Sequence, residues 1–171
     1  MSDAREEPRP TLADYRWTRS FPTRWNDNDV FGHVNNTIYY AAMDTTVTSW
    51  LLGQAVGPQA GPDASRSDGA AVSWGYGMAE QDGDPAVVIA SSCRYFASGA
   101  FPDTLVVGLR AGRVGTTSVS WGLGIFREAD SELLATGTFV HVFVDRSDRR
   151  PIPVPAAIRD RIGRELMADA Q

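Results

Sequence analysis

The sequence predicts an α+β fold in which an antiparallel sheet wraps around one long helix. Three observations lead there. Between residues 33 and 52 the apolar side chains Val34, Ile38, Met43, Val47, Trp50 and Leu51 recur at spacings of mostly three to five, which is a helix period. Four β-patterned runs follow in the second half, at residues 86–97, 104–114, 117–127 and 132–145. The turn signals SGAFPD, RVGT and EADS that separate these runs are of hairpin length, so neighbouring strands run antiparallel.

Each element has its own local warrant. Residues 1–13 are acidic, proline-containing and aperiodic, and read as a loose tail that can be trimmed without loss of function, leaving a single domain over 14–168. Residues 15–25 interleave aromatics with Arg and Thr, as a half-buried strand does, and end in the polar loop 26–32. The helix that follows is rich in threonine, a mediocre helix former, so its stability must come from packing and it should be central. Gly53 closes it, and 54–69, dominated by Gly, Pro, Ser, Ala and Asp, reads as a loop. In the run 117–127, Val119, Trp121, Leu123 and Ile125 alternate with Ser118, Ser120, Gly122 and Gly124. The large face should cover the helix, and the small face should admit close backbone approach. Pro151, Pro153 and Pro155 end the sheet, and Ile158, Ile162 and Leu166, at intervals of four, mark a short amphipathic helix over 155–166.

Composition narrows the chemistry. At 171 residues the chain holds one domain's worth of sequence, and 43% hydrophobic with 22% charged residues is a globular balance. All 16 basic residues are arginine, which excludes lysine Schiff-base chemistry and a Walker P-loop. The net charge of −5 argues against a nucleic-acid partner, which would require a basic stripe. The lone Cys93 cannot close an intramolecular disulfide, and no run approaches the ~18 apolar residues of a membrane span. A cytoplasmic address with no membrane partner is the expectation. The GLGIF run of 122–126 lies within a strand pattern and lacks the helix of a dinucleotide fingerprint.

The densest polar cluster is RWNDNDVFGHVNN, residues 24–36, where the first strand meets the helix. Asp27 and Asp29 stand two apart, and a glycine and a histidine follow just before the backbone amides of the helix start. A helix amino terminus offers unpaired N–H donors suited to a developing oxyanion, and a carboxylate beside it can act as nucleophile or general base. The same residues also suit a helix-capping turn, and on composition alone both readings stand.

At these residues the chain resembles the hotdog-fold acyl-CoA thioesterases of the hydroxybenzoyl-CoA thioesterase superfamily. The likeness rests on RWNDNDVFGHVNNTIYY with the acid Asp44, five residues after Tyr39, and continues through ASSCRYFASGAFPDTLVVGLRAGRVGTTSVSWGLGIFRE, TGTFVHVFVD and RRPIPVP. It implies an antiparallel sheet around a central helix. It also implies hydrolysis of an acyl-CoA thioester to a carboxylate and CoA, with no cofactor, CoA being part of the substrate. Residue by residue, Asp29 takes the place of the catalytic carboxylate, and Asn36 that of the residue whose backbone N–H polarises the carbonyl. Gly32 would let substrate approach the turn, His33 and Asn35 would line or brace the site, Tyr39 would pack beneath it, and Asp27 would fix the loop. The resemblance further implies a homodimer, or a homotetramer, joined edge to edge with sites between subunits.

Other residues read more plainly. Cys93 suits a buried strand thiol, and His141, alternating with Phe139 and Phe143, a packed or interface histidine. No metal is expected, since the loop lacks an EF-hand glutamate and two histidines with one cysteine offer few zinc ligands. Asp44, an acid in an apolar helix, should pair with an arginine or lie at a pocket opening. Without lysine, side-chain cations for CoA phosphates must be arginines or a protonated histidine, and Arg94, Arg110 and Arg113 are the candidates. Trp50, Leu51 and residues 54–83 would shape the acyl end. A non-catalytic acyl-CoA-binding protein of the same fold is the alternative, and a hotdog hydratase or dehydratase a further one.

Overall fold

The computed structural model describes residues 8–53 and 85–167. Its elements are β1 (Trp17–Pro22), α1 (Asn36–Leu51), β2 (Ala86–Tyr95), β3 (Thr104–Val114), β4 (Ser118–Arg127), β5 (Leu133–Phe143) and α2 (Ala156–Glu165). The strands form one sheet in the order β1-β3-β4-β5-β2, antiparallel throughout, with β1 and β2 at its edges. The expected α+β arrangement is therefore present. The loop expected at 54–69, and residues 1–7 of the tail, lie outside the described residues.

The helix is held by packing, as its composition requires. Ala42, Met43, Val47 and Trp50 are fully buried against Val107 and Leu109 of β3, Trp121 and Ile125 of β4 and Phe143 of β5. Fully burying side chains of this size is worth about 1.5–3 kcal/mol each. Thr46 is accommodated by donating its hydroxyl to the Ala42 carbonyl at 2.7 Å. Gly137 leaves room for the Met43 sulphur, which would overlap any Cβ at that position. Gly53, at φ +71°, ends the helix in a conformation that favours glycine. Beyond it α2 clasps the end of α1: Arg161 donates to the Trp50 carbonyl at 2.9 Å and stacks on its ring, while Trp50 Nε1 donates to Glu165 at 2.8 Å. Trp50 is thus a fully buried core residue, and the segment expected to shape the acyl end with it, 54–83, lies outside the described residues.

β4 divides large from small side chains as its alternation predicts, its large face being at most 1% exposed. What approaches the small face is a side chain rather than backbone. The Tyr15 ring crosses Gly108 and Gly124, in space that a Cβ at either would occupy, and meets Phe126 edge-on at 5.8 Å. The first strand begins at Trp17, later than expected, and Pro22 ends it before Trp25–Asp27 turns as a short 3-10 helix. Of the segment expected as loose tail, Pro8, Arg9 and Pro10 lie against this outer face, Arg9 over the Phe96 ring at 4.8 Å, and a 3-10 turn follows at Leu12–Asp14.

Candidate active site

The loop between β1 and α1 is built from its own polar side chains. Asp27 is 1% exposed and accepts from the Arg24 backbone N–H at 2.7 Å and from its guanidinium at 3.1 Å, so it secures the turn. Asn28 accepts from the Phe101 N–H at 3.0 Å, tying the loop to the segment after β2. Asp29 Oδ1 accepts from the N–H groups of Phe31, at 2.8 Å, and His33, at 3.3 Å. Its own N–H donates to the His33 carbonyl at 2.8 Å. Gly32 makes this tight reversal possible: its φ of +81° lies in the left-handed region, and nothing stands within 4 Å of where a Cβ would be.

The helix start follows directly. Asn35 is its cap, accepting from the Thr37 N–H at 3.0 Å and the Thr37 hydroxyl at 2.9 Å, so its side chain braces the helix start. No acceptor among the described residues takes the Asn36 N–H, which remains one of the orphan donors of a helix amino terminus.

Asp29, His33, Asn36 and Tyr39 line one cleft of about 220 Å³, completed by Val34, by Tyr95 at the end of β2 and by Ala97 and Ser98 just beyond it. Tyr39 is buried beneath it and accepts from the Gly99 N–H at 3.1 Å, while the Val34 N–H donates to the Gly99 carbonyl at 2.8 Å. Burial pushes the Tyr39 phenol above its ordinary pKa. Tyr95 stands edge-on to Tyr39 with ring centroids 5.2 Å apart, and burial foremost raises its phenol as well. Both rings are therefore neutral wall and hydrogen-bonding groups at neutral pH. Tyr95, like Ala97 and Ser98, lies outside the RWNDNDVFGHVNN cluster, and it is the aromatic site residue that the reading of that loop missed. Its signal is alternation with Cys93, which packs against the core and thereby turns Tyr95 towards the helix.

The remaining candidates are dispersed. Arg94 and Arg110 line a different cleft on the outer face of the sheet, and Arg113, exposed near the end of β3, lines neither. Alternation is again the cause, since Leu109 and Cys93 face the core and their neighbours Arg110 and Arg94 face away. Asp44 is exposed on α1, and its charge is felt by His141, which is 3% exposed between Trp121 and Phe139. Burial lowers the His141 pKa, with Asp44 opposing. Cys93 is half-buried, and burial raises its thiol pKa, the opposite of what a nucleophile needs. Among the described residues no group of three or more His, Cys, Asp and Glu could hold a metal ion. None of the described helices is long and apolar enough to cross a membrane.

A five-stranded antiparallel sheet wrapped on a central helix, with a polar loop at that helix's start, is the hotdog fold of thioesterase-type proteins. The chain belongs to the thioesterase-like superfamily, whose profile matches residues 23–162. It is similar to the PA5185 protein of Pseudomonas aeruginosa strain PAO1, with 37% identity, a TM-score of 0.72 and coverage of 96% of this chain and 100% of that one. The PA2801 protein of the same species is 29% identical, with a TM-score of 0.67, over 85% of this chain and 96% of its own. A thioesterase of Thermus thermophilus, solved with coenzyme A and Zn, shares the fold at 24% identity and a TM-score of 0.63, over 87% of this chain and 92% of its own. No curated protein matches the chain.

Proposed function

We propose that the protein is an acyl-CoA thioester hydrolase that releases a free carboxylate and CoA. One observation carries the reading: the Asp29 carboxylate, fixed through one oxygen by two backbone amides, lines the same cleft as the uncommitted N–H of Asn36 at the start of α1. Superfamily membership supports it, and the coenzyme A bound by the Thermus protein makes a CoA thioester the natural substrate class.

The chemistry needs little else. In the nucleophilic route an Asp29 oxygen bonds to the thioester carbon, the C–S bond breaks with its electron pair leaving on sulphur, and water hydrolyses the resulting anhydride to restore Asp29. In the general-base route Asp29 takes the proton from a water that adds to the same carbon. Both place negative charge on the carbonyl oxygen, which the Asn36 N–H and the positive end of the helix stabilise. A thiolate, with a reference thiol pKa near 8.5, leaves without a strong general acid. Gly32 leaves the approach to the turn open, His33 lines the cleft, and Tyr39 supports its floor.

The reading includes a homodimer at least. β2 is an edge strand with Val88 and Ile89 43% and 62% exposed, and a second copy pairing there would cover its free edge and enclose the adjoining cleft. The test is thiol release from a panel of acyl-CoAs by the full chain. Hydrolysis of at least one supports the enzyme. Tight binding without thiol release would replace it with the non-catalytic reading, and hydration of an enoyl-CoA with the hydratase.

A further inference from the structure

A second cleft, of about 740 Å³, lies on the face of the sheet turned away from α1. It is lined by Arg94 and Ser92 of β2, Arg110 of β3 and Thr136 and Thr138 of β5, beneath Tyr15 and the segment that carries Arg9. Among the described residues no acidic one lines it, in a chain whose acids outnumber its bases 21 to 16. Asp14 lies within electrostatic reach of Arg110, but its pKa is lowered foremost by Thr11, whose N–H at 2.7 Å and hydroxyl at 3.0 Å occupy its carboxylate. Neither Arg94 nor Arg110 forms a hydrogen bond or ion pair with a described residue. Each is placed by an aromatic ring instead, Arg94 at 5.4 Å from the centre of Phe96 and Arg110 at 5.6 Å from that of Tyr15. A guanidinium stacked in this way keeps its five N–H donors, which lie in its own plane.

We propose that this outer cleft is a second ligand site, physically separate from the Asp29 cleft, and that it binds the phosphate groups of a small molecule of nucleotide size. Two guanidinium forks and three hydroxyls require more acceptors than the two oxygens of a carboxylate, and a phosphate ester or diphosphate supplies them. The volume falls in the ~300–1,000 Å³ range of small-molecule sites. The two clefts stand back to back across the end of β2: Arg94 and Phe96 line the outer one, while Tyr95, Ala97 and Ser98 line that of Asp29. Alternation therefore gives one short segment a wall in each.

The full chain titrated calorimetrically with inorganic pyrophosphate and with ADP tests this directly. Saturable binding of at least one is expected, weakened roughly tenfold or more by Arg94→Ala and by Arg110→Ala, as the loss of a charge-assisted hydrogen bond implies. Asp29→Asn should leave it unchanged, which keeps this outcome distinct from the fate of the thioesterase reading. Should an alanine variant not fold, Arg→Gln retains much of the stem and removes the charge. Competition between ADP and CoA would assign the phosphates to the nucleotide end of CoA, and independent binding to a separate phosphorylated metabolite; either supports the site. No binding of either anion, or equal affinity in wild type and both variants, would overturn it. So would loss of binding together with dissociation of an oligomer in light scattering, since the face would then be a subunit contact.

Discussion

Replacing Asn36 with proline removes one backbone N–H and little else. Asn36 is the first residue of α1, where the N–H has no helical partner and a proline ring is well tolerated. The residue before it is already suited, because Asn35 has φ −58° and ψ 140°, within the extended region that proline demands of its predecessor. The cap from Thr37 to Asn35 does not involve the Asn36 N–H, and the Asn36 carbonyl that Tyr95 approaches at 3.5 Å is retained. Stability should therefore change by no more than about 1 kcal/mol, or roughly 2–4 °C in Tm for a domain of this size. If this N–H polarises the thioester, the variant loses one oxyanion donor, and kcat should fall roughly 100- to 1,000-fold. Asn36→Ala retains the N–H, and since the Asn36 side chain is exposed its kcat should stay close to wild type. Steady-state thiol release on the best acyl-CoA of the panel, with thermal melts of all three proteins, measures both quantities. A folded Asn36→Pro enzyme with undiminished kcat, or an alanine variant as impaired as the proline one, would refute the role of the amide.

Asp29→Asn retains an acceptor for the Phe31 and His33 amides, so it should fold and bind acyl-CoA while kcat drops by about 10²–10⁴; wild-type turnover would remove Asp29 from the mechanism. Gly108→Ala places a methyl group against the Tyr15 ring and should expel it from the outer face, costing about 2 kcal/mol or roughly 4–8 °C in Tm. In a Tyr15→Ala background the same substitution should be nearly neutral, and equal costs in both backgrounds would contradict the contact. His141 is buried with a lowered pKa, so the unfolded chain binds its proton more readily, and its contribution to stability is lost as pH falls below about 6.5. Melts at pH 7.5 and 5.5 should show a smaller loss for His141→Phe than for wild type, and an identical loss would sink the assignment.

Much of this protein is legible along the chain because the determining interactions are local. The period of residues 33–52, the alternation in β4 and the proline run before α2 each act within a few residues, and each element forms close to its expected bounds. The same locality makes the centre of the candidate site readable, since Asp29, Gly32, Asn35 and Asn36 lie within eight residues of sequence. The arginines fared differently. Their composition narrows the choice of phosphate ligand, but the direction a strand residue faces is settled by which neighbour enters the core, and that set Arg94 and Arg110 against the outer face.

What the sequence by itself determined, then, was the set of elements and the polar loop at the helix start, because hydrogen bonding and periodicity over a turn or a strand are encoded locally. The tertiary structure alone decided that β2 lies at the edge of the sheet, that Tyr95 closes the cleft 59 residues away in sequence from Asn36, and that Tyr15 crosses two glycines to roof a second cleft. These are contacts between distant segments, and they follow from how the sheet buries its apolar face around α1 rather than from any short stretch of chain.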